Sequence, residues 1–339
     1  LVELGRHLFS RSKLYQLNLN EKSEVVMKTR AMIWAAALLV PLGACKSRDQ
    51  NMAKLADRLN QSVVSPRNLG GAMVIGDTDL TGNRNVAGGM PEVQGSYPVA
   101  ANDVLLSRTQ FVVAFDAKAK IPTWTSWQIV NDDVGQTDRS KDFKSDEILD
   151  AYLKVKEQNL GLSPKDYTNT CFDKGHQAPS ADRSRSTMDN TATFYMSNMA
   201  PQTAFLNRRI WKDLEQHSRD LVQTNGRKLQ VFAGPILRDG REGIGPNKDI
   251  QVPEAFYKVI AVYDDAAASS PSRYIAVVMP NVTADGLDPL AEREINCTEQ
   301  KKGGRGKLST KWEDYKVSLS EIETKSRIKF PQLATVQPL

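Results

Sequence analysis

Four polar side chains in one stretch of this chain have the types and spacing for hydrolytic chemistry. They are His176, Asn207, Glu215 and Arg219, all between Asp173 and Arg219. His176 follows Lys174-Gly175, a turn from which an imidazole can project. Free histidine titrates at about 6.5, so a neutral ring able to accept a proton is available near neutral pH. Asn207, Trp211, Glu215 and Arg219 recur every fourth residue. On a helix such positions form one slowly turning row. The row offers an amide oxygen to a hard cation such as Mg²⁺ or Mn²⁺, a carboxylate beside it and a guanidinium beyond. Base, cation ligand and compensating charge are what hydrolysis at an anionic centre requires. Each residue also has a plainer reading. A lone histidine is more often structural, Asn is favoured at helix N-caps, and a helical Glu is commonly a surface charge.

The elements that must hold these groups can be read from pattern. Phe194-Tyr195-Met196-Ser197 is strand-like, and a helix is expected from Leu206 onward. Leu206, Ile210, Trp211 and Leu214 supply the apolar stripe that packs that helix on a sheet. The sheet is expected from Gln110–Phe115, Trp124–Val130, Leu229–Ala233, Phe256–Tyr263 and Tyr274–Met279, which are β-branched, aromatic or alternating runs. Asp116 to Pro122 reads as a hairpin loop and Ala266 to Pro271 as a turn. Trp312 to Leu319 is a candidate further strand and Leu319 to Thr324 a short terminal helix. The class is α+β: a mostly antiparallel sheet core flanked by helices.

The central stretch resembles the DNA/RNA non-specific endonuclease family, the ββα-metal (His-Me finger) nucleases that include endonuclease G. The resemblance rests on Asp173-Lys174-Gly175-His176 with Pro179, on Asn198-Met199-Ala200-Pro201-Gln202, and on Leu206-Asn207, Trp211 and Leu214-Glu215. Pro122-Thr123-Trp124 and Gly234-Pro235 extend it. It implies the ββα-metal fold and an endonuclease hydrolysing DNA and RNA to 5′-phosphate and 3′-hydroxyl ends. His176 would be the general base and Asn207 the ligand of a single Mg²⁺ (or Mn²⁺). Glu215 would hold a metal-bound water, Arg219 would support phosphate charge, and Asn198 would lie near the catalytic centre. One position departs from the pattern: Lys174 stands where the family has Arg, which keeps the charge and loses the bidentate fork.

The front of the chain carries different signals. Met27 looks like a translation start, with Lys28 and Arg30 before the apolar run Ala31–Leu42. That run is shorter than the roughly 20 residues a membrane-spanning helix needs and reads as a signal-peptide core. Leu42-Gly43-Ala44-Cys45 resembles a bacterial lipobox, which would lipidate Cys45 and anchor the protein to a membrane surface outside the cytosol, at the outer membrane given Lys46. Residues 1–44 are therefore expected as leader and signal peptide. Met52 to Val64 has a weak helical pattern, residues 45–101 read as a glycine-rich tether or irregular wrap, and 102–339 as the catalytic domain. Outside the cytosol a disulfide is permitted. Cys171 and Cys297 remain after Cys45, and a bridge between them would brace the turn at Asp173.

The chain has 339 residues, 40% hydrophobic and 25% charged, and a net charge of +5. That excess permits a polyanion partner without arguing for one. Lys301-Lys302-Gly303-Gly304-Arg305-Gly306-Lys307 is a basic glycine-rich loop able to touch phosphates, although most charge runs are simply solvated. None of the candidate groups is placed to read a base edge, so weak sequence preference is expected. A second copy of the chain, as in a homodimer, is a compatible partner. His7 lies in the leader, and His217 reads as a surface residue. Two alternatives stay open: a lipid-anchored nucleic-acid-binding protein without cleavage activity, and a narrow-specificity nucleotide phosphodiesterase.

Overall fold

The alternating runs form one eight-stranded sheet. In chain order its strands are β1 (Val74–Gly76), β2 (Asp103–Ser107), β3 (Val112–Asp116) and β4 (Ile121–Ile129). A separate hairpin follows, β5 (Asp173–His176) with β6 (Met199–Gln202). The large sheet then continues with β7 (Lys228–Ile236), β8 (Ala255–Tyr263), β9 (Arg273–Pro280) and the short β10 (Gln337–Pro338). The spatial order is β1-β2-β3-β4-β7-β8-β9-β10, antiparallel except for the two outermost pairs. Helices are α1 (Glu147–Val155), α2 (Thr187–Ala192), α3 (Trp211–Gln223), α4 (Arg293–Lys302) and α5 (Leu319–Ser326). The structure, a computed structural model, describes residues 74–94, 103–155 and 160–339, all within the unit Ser62–Leu339. The leader, Cys45 and the helical pattern at Met52–Val64 lie outside the described residues.

Because strand side chains alternate, β8 divides its residues between two apolar layers. Phe256, Ile260 and Val262 enter the layer beneath α3, with Trp127, Val231, Leu206, Trp211 and Leu214. Tyr257, Val259 and Ala261 enter the opposite layer, closed by Leu319 and Ile322 of α5 and by Phe330. Lys258 falls between Phe256 and Ile260, so the pleat sends a lysine into the helix-covered side.

Several expectations are corrected. Phe194–Ser197 is not a strand: Met196–Asn198 forms a 3-10 turn, and the strand is the following β6. The Asn198-x-x-Pro201-Gln202 motif therefore runs from that turn through β6, which pairs His176 with Met199 and Asp173 with Gln202. Trp312–Tyr315 is also a 3-10 turn, since its chain meets β9 only through a single bridge at Lys316. The loop expected at Asp116–Pro122 is shorter, because Pro122 already pairs with Phe115. Residues 74–94 are not a tether. Val74–Gly76 pairs with Leu105–Ser107, and Asn85 is fully buried, so the sheet begins well before Asn102.

Candidate active site

The β5–β6 hairpin carries His176 into an aromatic enclosure. Its ring lies 5.6 Å from Phe143 and 4.8 Å from Phe194, nearly edge-on to the latter. The side chain is buried and Nε2 has no hydrogen-bond partner among the described residues. Burial, assisted by the positive charge of Arg139, lowers its pKa from 6.5 to about 3, so the ring is neutral at physiological pH. An unpaired buried ring nitrogen costs about 1–3 kcal/mol.

Gly175 makes room for the Gln202 side chain across the strand pair. A Cβ there would stand 2.2 Å from the Gln202 side-chain oxygen. Asn198 secures the exit of the same strand. Its Oδ1 accepts from the Ala178 N–H, and its Nδ2 donates to the carbonyls of Ala178 and Thr193. With no exposed surface, it spends its amide on the backbone. It shapes the segment behind His176 and offers no atom to a substrate.

Asn207 stands in a π-turn, Leu206–Ile210, that leads into α3. It is not an N-cap, because the preceding Phe205 is already helical. Its Nδ2 donates to Asp173 Oδ2 at 2.9 Å. A carboxylate is an acceptor only, so Asp173 fixes the amide orientation and leaves Oδ1 as the end turned away from it. Asp173 also accepts from Arg208 Nε and Nη2 at 2.7 and 2.6 Å. The turn before Asp173 is braced by the expected bridge, Cys171–Cys297, which reaches α4. Asn296 and Gln300 of α4 add bonds to the carbonyls of Cys171 and Phe172.

Further along the row the side chains are buried. Glu215 is 14% exposed and lies 3.7 Å from Lys258 Nζ. Burial raises the Glu215 pKa, opposed by Lys258 and Arg219. Lys258 is 1% exposed, its ammonium 3.9 Å from the Trp211 ring centroid. Burial lowers its pKa, opposed by Glu215 and Asp182. Arg219 donates to the buried Asp182 at 2.9 Å, and Asp182 also accepts from Trp127 Nε1 at 2.9 Å. Arg219 is thus an anchored guanidinium. Trp211 is core, as expected, and packs on Phe256. His217 is not free on the surface: it is half-buried with its ring 4.7 Å from Trp312.

Three charged residues escape a motif reading. Lys258 and Asp182 come from distant segments, and only the pleat and the helix register bring them to Glu215 and Arg219. Arg139 is the third. It lies on an exposed loop, its guanidinium bonded to Ser180 Oγ at 2.6 Å and 5.1 Å from the Phe194 ring. Its charge acts on both His176 and Glu215, so the three share one electrostatic neighbourhood. Its only sequence signal is the basic run Arg139-Ser140-Lys141. Lys174, by contrast, is folded over Phe143 and Tyr167, at 4.9 and 5.8 Å.

The oxygen set suits a hard cation that keeps most of its waters. Asn207 keeps one amide oxygen out of its bond to Asp173, Glu215 supplies a carboxylate eight residues on, and no cluster of three or more His, Cys, Asp or Glu able to hold a metal occurs among the described residues. A soft or fully protein-caged metal does not fit.

Residues 91–336 match the model of the DNA/RNA non-specific endonuclease family, more than half of the chain. A nuclease of Nostoc sp. is 30% identical over 255 residues, covering 74% of this chain and 80% of that protein. Mitochondrial endonuclease G of Bos taurus is 32% identical over 218 residues, covering 60% and 68%. The crystal structure of an EndoG/EndoGI complex is similar in fold, with a TM-score of 0.52 at 24% identity, over 73% of this chain and 90% of that one.

Proposed function

From the premise that this chain belongs to the DNA/RNA non-specific endonuclease family and is a phosphodiester-hydrolysing nuclease, we propose that His176 is its general base and Asn207 the protein ligand of one Mg²⁺ or Mn²⁺ ion. What supports this is a buried imidazole at the end of β5 together with an amide that donates its Nδ2 to Asp173 at the start of the same strand, which leaves the amide oxygen free of that contact for a cation. The His176 ring takes a proton from the attacking water. The water oxygen bonds to phosphorus as the bond to the 3′ oxygen breaks, and the departing oxygen takes a proton from solvent water, leaving 5′-phosphate and 3′-hydroxyl ends. Arg139 faces the phosphate oxygens, where charge grows as the bond forms. A hard cation held by Asn207 would supply Lewis-acid charge at the phosphate, and Glu215 would accept hydrogen bonds from its water. Lys258 and the Asp182-held Arg219 keep its carboxylate in place from the far side.

All of these groups address phosphate, water or cation, so the proposed enzyme cuts DNA and RNA with weak sequence preference. The lipobox-like Leu42–Cys45 supports a lipid-anchored protein acting outside the cytosol. Digestion of plasmid and RNA with and without EDTA, repeated with His176→Ala and with metals restored singly, is the test. Cleavage by His176→Ala at the unmodified rate would refute the assignment. Binding of both nucleic acids without cleavage by the unmodified protein would favour the binding-only alternative.

A further inference from the structure

The basic run formed by the last turn of α4 and the loop after it makes no part of the chemistry above, yet the fold sets it against the start of the metal-site helix. Gly304 lies so close to that helix that an added Cβ would stand 2.4 Å from the Phe205 backbone nitrogen and 2.6 Å from the Ala204 carbonyl carbon. Gly303 and Gly304 both have positive φ, +87° and +62°, and their N–H groups close α4 on the Glu299 carbonyl. On one side the loop accepts from Arg209 through the Gly303 carbonyl, and Arg208 binds the Gln300 carbonyl just before it. On the other side the Lys307 N–H donates to Asp285 and the Leu308 N–H to the Ala284 carbonyl. The backbone is thus pinned at both ends. The side chains are not: Lys301, Lys302, Arg305 and Lys307 are all exposed, and none makes an ion pair among the described residues.

We propose that this loop is a phosphate track for nucleic acid, gripping the backbone of a long substrate beside the bond being cut. The inference rests on the nuclease reading for its substrate class. Phe205 is two residues before Asn207, an axial rise of about 3 Å on a helix. Phosphates recur about every 3.4 Å of rise along a strand. A backbone fixed this near Asn207 therefore meets the phosphates next to the reacting one. These four cations in seven residues make no ion pair among the described residues, whereas a polyanion would release its counterions to them.

The test measures binding of a phosphorothioate-blocked 24-base-pair duplex by fluorescence anisotropy across a KCl series, for the unmodified protein and a variant with Lys301, Lys302, Arg305 and Lys307 all changed to Gln. The control variant changes Lys118, Lys154, Lys325 and Lys329 to Gln, four exposed cations elsewhere. Each phosphate contact contributes about 0.9 to the slope of log K against log salt. The loop variant should have a slope shallower by about 1 or more, with weaker binding at 150 mM salt, while the control keeps the original slope. A smaller change, or an equal change in the control, overturns the proposal. An unchanged slope with lost binding to anionic phosphatidylserine vesicles assigns the loop to a membrane surface and equally overturns it. Because this readout needs no cleavage, it separates from the nuclease reading, which the plasmid and RNA digests decide.

Discussion

Replacing Asp173 with Asn tests how the cation ligand is aimed. In the native structure the carboxylate accepts from Asn207 Nδ2 and from two nitrogens of Arg208. An acceptor-only group leaves the Asn207 amide one stable orientation, oxygen away from Asp173. An amide at position 173 can present either oxygen or NH₂, so Asn207 loses its enforced orientation and turns its oxygen toward position 173 for part of the time. The ion pair with Arg208 contributes little to folding, because Arg208 is 40% exposed; solvent screening limits such a pair to about 0–1 kcal/mol. The larger effect is on the ion, since loss of a partner that orients a ligand typically weakens metal binding about 10–100-fold. The assay is direct Mn²⁺ binding by electron paramagnetic resonance, alongside cleavage as a function of Mg²⁺. Asp173→Asn should bind Mn²⁺ 10–100-fold more weakly and regain most of its cleavage at saturating Mg²⁺. Unchanged Mn²⁺ affinity, or a loss of activity that no metal concentration repairs, would refute the reasoning.

Further outcomes are expected for His176, Lys258 and the disulfide. His176→Ala should lower kcat by about 10²–10⁴, the usual contribution of a general base. Because the folded His176 pKa is depressed from 6.5 to about 3, the unfolded chain binds the proton first as pH falls. This group's contribution is therefore whole above pH 6.5 and lost between there and pH 3; denaturant unfolding at pH 4.5 and 7 should show a smaller pH difference in His176→Gln than in the native protein. In the same window kcat/KM should lack an ascending limb near pH 6.5. Lys258→Met should destabilise by about 3–5 kcal/mol, as removal of one partner of a buried pair leaves the other uncompensated. Adding Glu215→Gln should restore part of that stability in a double-mutant cycle, although not activity. Joint replacement of Cys171 and Cys297 by Ser opens a bridge spanning 126 residues and should cost about 2–4 kcal/mol, measured by denaturant midpoint, together with weaker Mn²⁺ binding because the Asp173 turn loses its brace.

Much of this protein is local and was open to reading from residue order alone. The helical row Trp211–Glu215–Arg219 follows from periodicity, with Asn207 in the π-turn before it, the sheet strands from alternation, and the Cys171–Cys297 bridge from parity and position. Family membership followed from motif spacing. What sequence order misjudged was settled by competing contacts. Phe194–Ser197 looks like a strand, but Phe194 is needed against His176, and the chain turns there instead. Asn198 sits in a motif beside the catalytic base, yet only the folded backbone shows its amide consumed by Ala178 and Thr193. Lys258 looks like an ordinary strand lysine until the pleat places it under Trp211 with Glu215. Arg139 has no periodic signature because a loop positions it. The basic run at Lys301–Lys307 acquires meaning only from the close packing of Gly304 on Ala204–Phe205. Local hydrogen bonding and side-chain period are written in neighbouring residues, whereas pairing of charges across a core depends on how distant segments are stacked, and that is decided when the sheet and α3 come together.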